Sequence, residues 1–172
     1  MANTYTLISS NVLGSAAANV TFSAIPSTYT DLVLRWSGRG TNAAIFHTVF
    51  YTYNSSAAGY SDTYLLNIAG TPISSSDATP RIYGIIGYDP ASTATANTFG
   101  SGELYIPNYN SSTNKPNSSF SAPENNSATS TRFTFVGANL WSNTAAISSL
   151  TISCTTSFDT GSSFYLYGIK NS

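Results

Sequence analysis

Apolar and polar residues alternate most clearly in residues 29–36. Leu32, Leu34 and Trp36 fall on one side of an extended strand and Asp31, Val33 and Arg35 on the other. That period of two is the mark of a half-buried β-strand. Pro26 and Ser27 supply a turn before it, and Ser37, Gly38, Arg39 and Gly40 a turn after it. The same device recurs along the chain. Residues 4–9 read as a first strand, 11–18 as a loop of small residues, and Val20 and Phe22 as one face of a strand that stops at Pro26. Residues 46–53 set Phe46 and Phe50 opposite Val49, Tyr51 and Tyr53, the pattern of a strand covered on both faces.

Further strands are predicted over 63–68, 81–87, 99–106, 119–122, 132–136, 147–154 and 163–169, with loops over 54–59, 74–80, 89–97 and 107–116. Gly84 and Gly87 predict a bulge or a close backbone approach, and Gly100 and Gly102 a second bulge. No stretch repeats its apolar residues with helical period. All seven prolines, at 26, 72, 80, 90, 107, 116 and 123, fall between the predicted strands. About ten short strands at even spacing predict an all-β fold, an antiparallel β-sandwich of jelly-roll-like kind. With no internal repeat, linker or composition break, residues 1–172 are expected to form a single domain.

Composition changes the picture of the surface. Hydrophobic residues make up 41% of the 172, enough for a core, but charged residues only 8%, against about 25% in ordinary domains. Ser, Thr and Asn take their place. Six basic and seven acidic residues leave a formal net charge of -1, which is not the footprint of a protein that grips phosphate backbones or anionic lipid. No nucleic-acid and no membrane partner is expected. With little charge to keep copies apart, assembly through close packing and neutral hydrogen bonds is favoured.

Residues 1–5 lack the basic start and apolar run of a secretory signal, so synthesis in a cytoplasm is expected. The single cysteine, Cys154, follows Leu150 and Ile152 at strand spacing and reads as a small buried hydrophobe.

Candidate chemistry is sparse. The one histidine, His47, shares a face with Val49, Tyr51 and Tyr53, and no Gly-x-Ser-x-Gly elbow offers it a nucleophile. It reads as structural. The carboxylates Asp31, Asp62, Asp77, Asp89, Glu103, Glu124 and Asp159 are scattered, without the spacing of a calcium loop. One Cys and one His do not make a zinc site. No catalytic, metal-binding or cofactor-binding residue is assigned, and no enzyme activity is expected. The 12 tyrosines are mostly core and rim, as aromatics in sheets usually are. Tyr105, Tyr109 and Asn110, beside a Ser- and Asn-rich loop, are the candidates for an exception, as a surface that stacks on sugar rings. Five Asn-x-Ser/Thr sequons, at Asn19, Asn54, Asn110, Asn117 and Asn125, are what so Asn- and Ser-rich a chain contains by chance.

Several stretches carry a resemblance: Ala2-Asn3-Thr4-Tyr5-Thr6-Leu7-Ile8, residues 25–35 from Ile25-Pro26-Ser27 to Leu34-Arg35, and Leu104-Tyr105-Ile106-Pro107-Asn108-Tyr109. Residues 124–129, residues 140–147 from Leu140-Trp141 to Ile147, and Ser162-Ser163-Phe164-Tyr165-Leu166-Tyr167-Gly168-Ile169 add to it. Together they resemble a family of small virion structural proteins of tailed phages, especially those of marine and aquatic bacteria. The resemblance implies a component of the virion, made in the host cytoplasm. It would be either a capsid decoration or cement protein on the major capsid protein shell, or a part of the tail. A homotrimer is expected. The alternative is a tail or head-fibre adhesin that binds host cell-surface glycan through loops such as 105–117.

Overall fold

In a computed structural model, which describes residues 4–68, 70–123 and 133–170, the chain forms two antiparallel sheets with no helix among those residues. The strands are β1 (Tyr5–Val12), β2 (Ala17–Phe22), β3 (Asp31–Ser37), β4 (Phe46–Tyr53), β5 (Tyr60–Ile68) and β6 (Thr71–Arg81). They continue with β7 (Gly84–Pro90), β8 (Ser101–Ile106), β9 (Lys115–Ala122), β10 (Phe133–Trp141), β11 (Leu150–Phe158) and β12 (Ser163–Ile169). The large sheet has the order β1-β12-β3-β8-β9-β10-β5-β6, and the small sheet β2-β11-β4-β7. The sandwich expected from alternation is therefore present. Residues 124–129, the sequon at Asn125, the strand start at Arg132 and the residues before Thr4 lie outside the described residues.

Two hairpins stand apart in this order. Strands β5 and β6, and strands β9 and β10, join side by side as β9-β10-β5-β6 and lengthen the large sheet by four strands beyond β8. With them set aside, the chain passes from one sheet to the other along β1, β2, β3 and β4, and again from β7 to β8 and from β11 to β12.

The strand over 29–36 holds its central place. Leu32, Leu34 and Trp36 enter the core between the sheets with Val49, Tyr51, Leu104, Ile152, Phe164 and Leu166. Its other face is less exposed than alternation predicts, because Val33 and Asp31 are buried as well and Arg35 alone is open. Val33 lies in register between Tyr105 of β8 and Tyr167 of β12, two long neighbours on the same face.

Strand β4 is covered on both faces, as its sequence predicts. Val49, Tyr51 and Tyr53 belong to the core between the sheets, while Phe46 and Phe50 pack on a second cluster of Leu66, Ile85, Tyr88, Phe133 and Phe135.

Several sequence expectations are corrected. Residues 74–80 are not loop but part of β6, an edge strand. Pro72 and Pro80 sit in that strand, Pro90 ends β7 and Pro116 is the second residue of β9, so only Pro26, Pro107 and Pro123 lie between strands. The physical reason is the same each time: a proline disturbs a ladder only where its N–H is needed. β6 has a partner on one side only, and the β8–β9 ladder stops at Tyr105–Ser118, short of Pro116.

Gly102 marks a close approach rather than a bulge. The β8–β9 register passes through it without a shift, the β3–β8 ladder reaches it in unbroken register as its last pair, and a side chain there would collide with the Trp36 indole. The bulge foreseen at the glycines of 81–87 is real: Val49 pairs with Gly87 and Phe50 with Ile85, leaving Ile86 over.

Tyr51, Tyr53, Tyr60 and Trp141 form one buried aromatic group, with Tyr60 stacked on Trp141 at 6.2 Å between centroids. Tyr51 accepts a hydrogen bond from Asn117 Nδ2 at 2.8 Å, and Tyr60 accepts one from the Tyr53 amide at 2.8 Å. Burial raises the ionisation of Tyr51 and Tyr53 far above the ordinary phenol range and pushes Tyr60 up to about 12. An unfolded tyrosine ionises near pH 10. The fold therefore holds these protons more tightly than the unfolded chain does. The associated stability is full below about pH 10 and is lost as pH rises toward and past about 12. Denaturant midpoints are expected to be flat up to about pH 8.5, where the thiol of Cys154, also raised by burial to about 12, begins to ionise in the unfolded chain, and to fall more steeply above about pH 10.

Candidate functional site

The residues singled out in sequence are brought together by the structure, but as a clamp. Tyr105 Oη donates to Asp31 Oδ2 at 2.8 Å, and the Asn108 amide donates to Asp31 Oδ1 at 2.9 Å. Tyr109 Oη donates to the Pro26 carbonyl and accepts from the Tyr29 amide at 3.4 Å, while Asn110 Nδ2 donates to the Ser27 carbonyl at 3.2 Å. Tyr109 and Asn110 fasten the turn that leads into β3, and Tyr105 fastens the first residue of β3 itself.

Tyr109 is wholly buried, so its ring has no face to offer a sugar. The expectation that it stacks on a ligand is corrected: an aromatic in a polar loop was the only signal, and here the loop folds back over it. Tyr105 is half-buried and Asn110 exposed.

The other ionisable groups are largely spent inside the fold. His47 and Asp89 are both buried with Nε2 and Oδ2 3.8 Å apart, too far for a direct hydrogen bond, and Asp89 Oδ1 accepts from Trp36 Nε1 at 3.0 Å. This bond crosses the sandwich from β7 to β3. The close approach of Gly38 and Gly100 to the Asp89 carboxylate leaves no space for a side chain at either glycine.

Arg39 is buried and donates to the Thr95 and Thr98 carbonyls at 2.9 and 2.7 Å and to the Ser92 and Ala94 carbonyls. Lys115, also buried, donates to the Ser111 carbonyl at 2.8 Å and to the Thr113 carbonyl. Each cation ties down one long loop. Cys154 is half-buried against the core, and burial pushes its thiol up to about 12. Among the described residues no three of His, Cys, Asp and Glu stand together as a metal site.

What is left facing outward is the open side of the large sheet, and cross-strand register orders it. Ser10, Tyr165, Arg35, Glu103, Phe120, Val136, Leu65 and Ser74 follow one another across all eight strands. The β12–β3–β8 part of that row is a groove. Arg35 Nε donates to Glu103 Oε2 at 2.8 Å, with Tyr165 to one side, Phe120 to the other and Ser37, Ser101 and Ser163 at one end. The groove encloses about 570 Å3. The Glu103 carboxylate holds the guanidinium charged by hydrogen bonding and raises it further from neutral pH. The Arg35 guanidinium also lies 5.5 Å from the Tyr5 ring centroid, so two neighbours fix its position.

The β9–β10–β5 part of the row is apolar. Phe120, Val136 and Leu65 are adjacent in register and are 44, 50 and 64% exposed. These are large side chains on the solvent face of strands whose opposite residues are already buried, so the core has no claim on them. Sequence reading missed both parts, since strands distant along the chain contribute each neighbour; only the alternation of β10 places Val136 on the outside.

No protein-family model matches the chain, and none of the curated proteins compared with it matches either.

The two kinds of residue respond differently to substitution. Tyr109→Phe leaves the Tyr29 amide and Pro26 carbonyl without their partner and is expected to cost about 1–3 kcal/mol. Phe120→Ser, on the open face, is expected to stay within about 0.5 kcal/mol of the parent. Equilibrium urea unfolding of both variants measures the contrast.

Proposed function

We propose that this chain is a structural protein of a tailed-phage virion, a decoration or cement protein that docks on the assembled shell of the major capsid protein. The single observation that carries this reading is the apolar row of Phe120, Val136 and Leu65 on the open face of the β9-β10-β5-β6 extension. An exposed apolar strip rimmed by serines and threonines is the composition of a surface made to be covered.

We read the remaining eight strands, ordered β1-β12-β3-β8 and β2-β11-β4-β7, as a jelly roll to which the two hairpins add a docking platform. The nearly chargeless surface favours the same end, because a contact without ion pairs holds across a wide range of salt. So does the resemblance of residues 25–35, 104–109 and 162–169 to small phage virion proteins.

The mechanism is mass action. A protein that binds the assembled, expanded shell and not its dissociated subunits adds its binding free energy to the assembled state, about 2.7 kcal/mol per site at a hundredfold excess over Kd. Purified protein added to shells that lack it is expected to co-sediment with them and to raise the temperature at which they release DNA. The variant Val136→Lys is expected to remain folded and to do neither. Equal heat resistance of shells with and without bound protein sinks the cement role, and no co-sedimentation sinks the capsid location.

A second reading, a glycan-binding adhesin, is favoured by the groove between Tyr165 and Phe120. A guanidinium and a carboxylate side by side offer a donor and an acceptor to neighbouring sugar hydroxyls, and the flanking rings offer apolar faces to the sugar's C–H groups. On this reading glycan binding is lost in Tyr165→Ala and in Arg35→Ala while the unfolding midpoint stays close to that of the parent. Binding to a glycan array that survives both substitutions removes the groove from consideration.

A further inference from the structure

We propose that β1 is a pairing edge for a second copy of this chain, so that two β1 strands join antiparallel about a twofold axis and the two large sheets become one.

A sheet edge exposes unpaired N–H and C=O groups, and proteins normally guard it. The two sheets have four edges, β1 and β6 in the large sheet and β2 and β7 in the small one. Three are guarded. β6 contains Pro72 and Pro80 and ends on Arg81. β7 is buried along its whole length, and two of its amides are taken by side chains of the large sheet, Ile85 N by Asp62 Oδ1 at 3.2 Å and Tyr88 N by Ser121 Oγ at 2.9 Å. β2 is six residues long, and its ladder with β11 breaks between Ser153 and Phe158.

Of these defences β1 has only an irregular ladder, a bulge between Leu7 and Ser9, and it lacks proline, burial and short length. It is eight residues long, Tyr-Thr-Leu-Ile-Ser-Ser-Asn-Val, with no proline and no charge, and it is exposed throughout except at Ile8. Three of the large exposed apolar side chains, Tyr5, Leu7 and Val12, are on it, each about half exposed or more.

The bulge in β1 makes this strand self-complementary. Leu7 pairs with Tyr167 and Ser10 with Tyr165, so the extra residue between Leu7 and Ser9 resets the alternation, and Tyr5, Leu7, Ser10 and Val12 all face the open side of the sheet. Antiparallel pairing about the centre of the strand sets Tyr5 of one copy against Val12 of the other, and Leu7 against Ser10. The exposed apolar groups then cover one another, and no like charges meet. The backbone ladder supplies affinity and the side-chain match supplies register.

A strand that pairs with its own copy closes after two, so the unit is a dimer rather than the trimer expected from sequence. One strand pair with three apolar side chains per copy lies at the small end of specific interfaces, below about 1,200 Å2, so the dimer exchanges with monomer and depends on concentration.

Sedimentation equilibrium of the full chain over a wide concentration range tests this independently of any shell or glycan. The expected result is a monomer–dimer equilibrium that shifts toward monomer by tenfold or more in Leu7→Lys, which places two like charges near the axis while leaving the unfolding midpoint unchanged. In a Cys154→Ser background, the double variant Leu7→Cys with Ser10→Cys is expected to form a disulfide-linked dimer on mild oxidation. A parent that stays monomeric at every concentration overturns the proposal, as does a trimer indifferent to Leu7→Lys. A dimer that fails to cross-link overturns the strand register and with it the β1 axis.

Discussion

A sheet edge that ends inside a protein must find hydrogen-bond partners there, because no water is at hand to serve its backbone. Strand β7 is such an edge, and the large sheet is built around meeting its demand. Asp62 of β5 accepts from the Ile85 amide and Ser121 of β9 accepts from the Tyr88 amide. Asn139 of β10, with its amide nitrogen turned toward β7, donates to the Ile85 carbonyl at 3.2 Å and to Asp62 Oδ1 at 3.1 Å. Asp62 also lies 3.7 Å from the Arg81 guanidinium, which supports its charge. These polar groups occupy inward positions in the middle of the sheet, and they divide its apolar interior into two clusters, one on each face of β4. The extension is therefore no loose addition: its hairpins carry the residues that satisfy β7.

That division has a cost and a benefit for the surface. Asp62, Arg39, Lys115, His47 and Asp89 are all withdrawn inward. Arg39 and Lys115 are matched by backbone carbonyls, Asp62 by the Ile85 amide and Arg81, and Asp89 by Trp36, while His47 is buried with no hydrogen-bond partner among the described residues. A chain with so few charges to begin with shows on its open face, among the described residues, the ion pair of Arg35 and Glu103, which is nearly self-neutralising. The face is consequently flat in potential, and its interactions depend on shape, aromatic rings and hydroxyl groups rather than on charge.

How much of this was legible in sequence follows from the same arrangement. Strands β3, β4 and β12 were legible because their inward residues are apolar, and the bounds read for β4 and β12 coincide with those observed. β9 was legible only at its end, because its inward residues Asn117, Ser119 and Ser121 are polar and invert the usual code. β6 was invisible for another reason: it is an edge strand whose residues 71–76 are all exposed, so they offer no buried face to pattern. The groove and the apolar row required knowing that β9, β10 and β5 lie side by side, which alternation within a strand cannot tell. Tyr109 misled because a tyrosine among Asn and Ser looks exposed, while what decides its burial is the carbonyl of Pro26, 83 residues away.

The two ends of the large sheet also set the limits of assembly. If β1 of one copy met β6 of the next, the contact would be head-to-tail and nothing would stop a third and a fourth copy from joining, the geometry that leads to fibres. Pro72 and Pro80 in β6 withhold ladder donors from that contact. In the dimer proposed above, β1, whose outward residues run from Tyr5 through Leu7 and Ser10 to Val12, is matched against its own copy instead. An edge that is guarded at one end and self-complementary at the other permits growth by one step only. The open face of a pair so formed would be twice as long as that of one chain, with an apolar strip toward each end, and on the proposed shell-binding role it would gain by reaching two sites of the lattice at once.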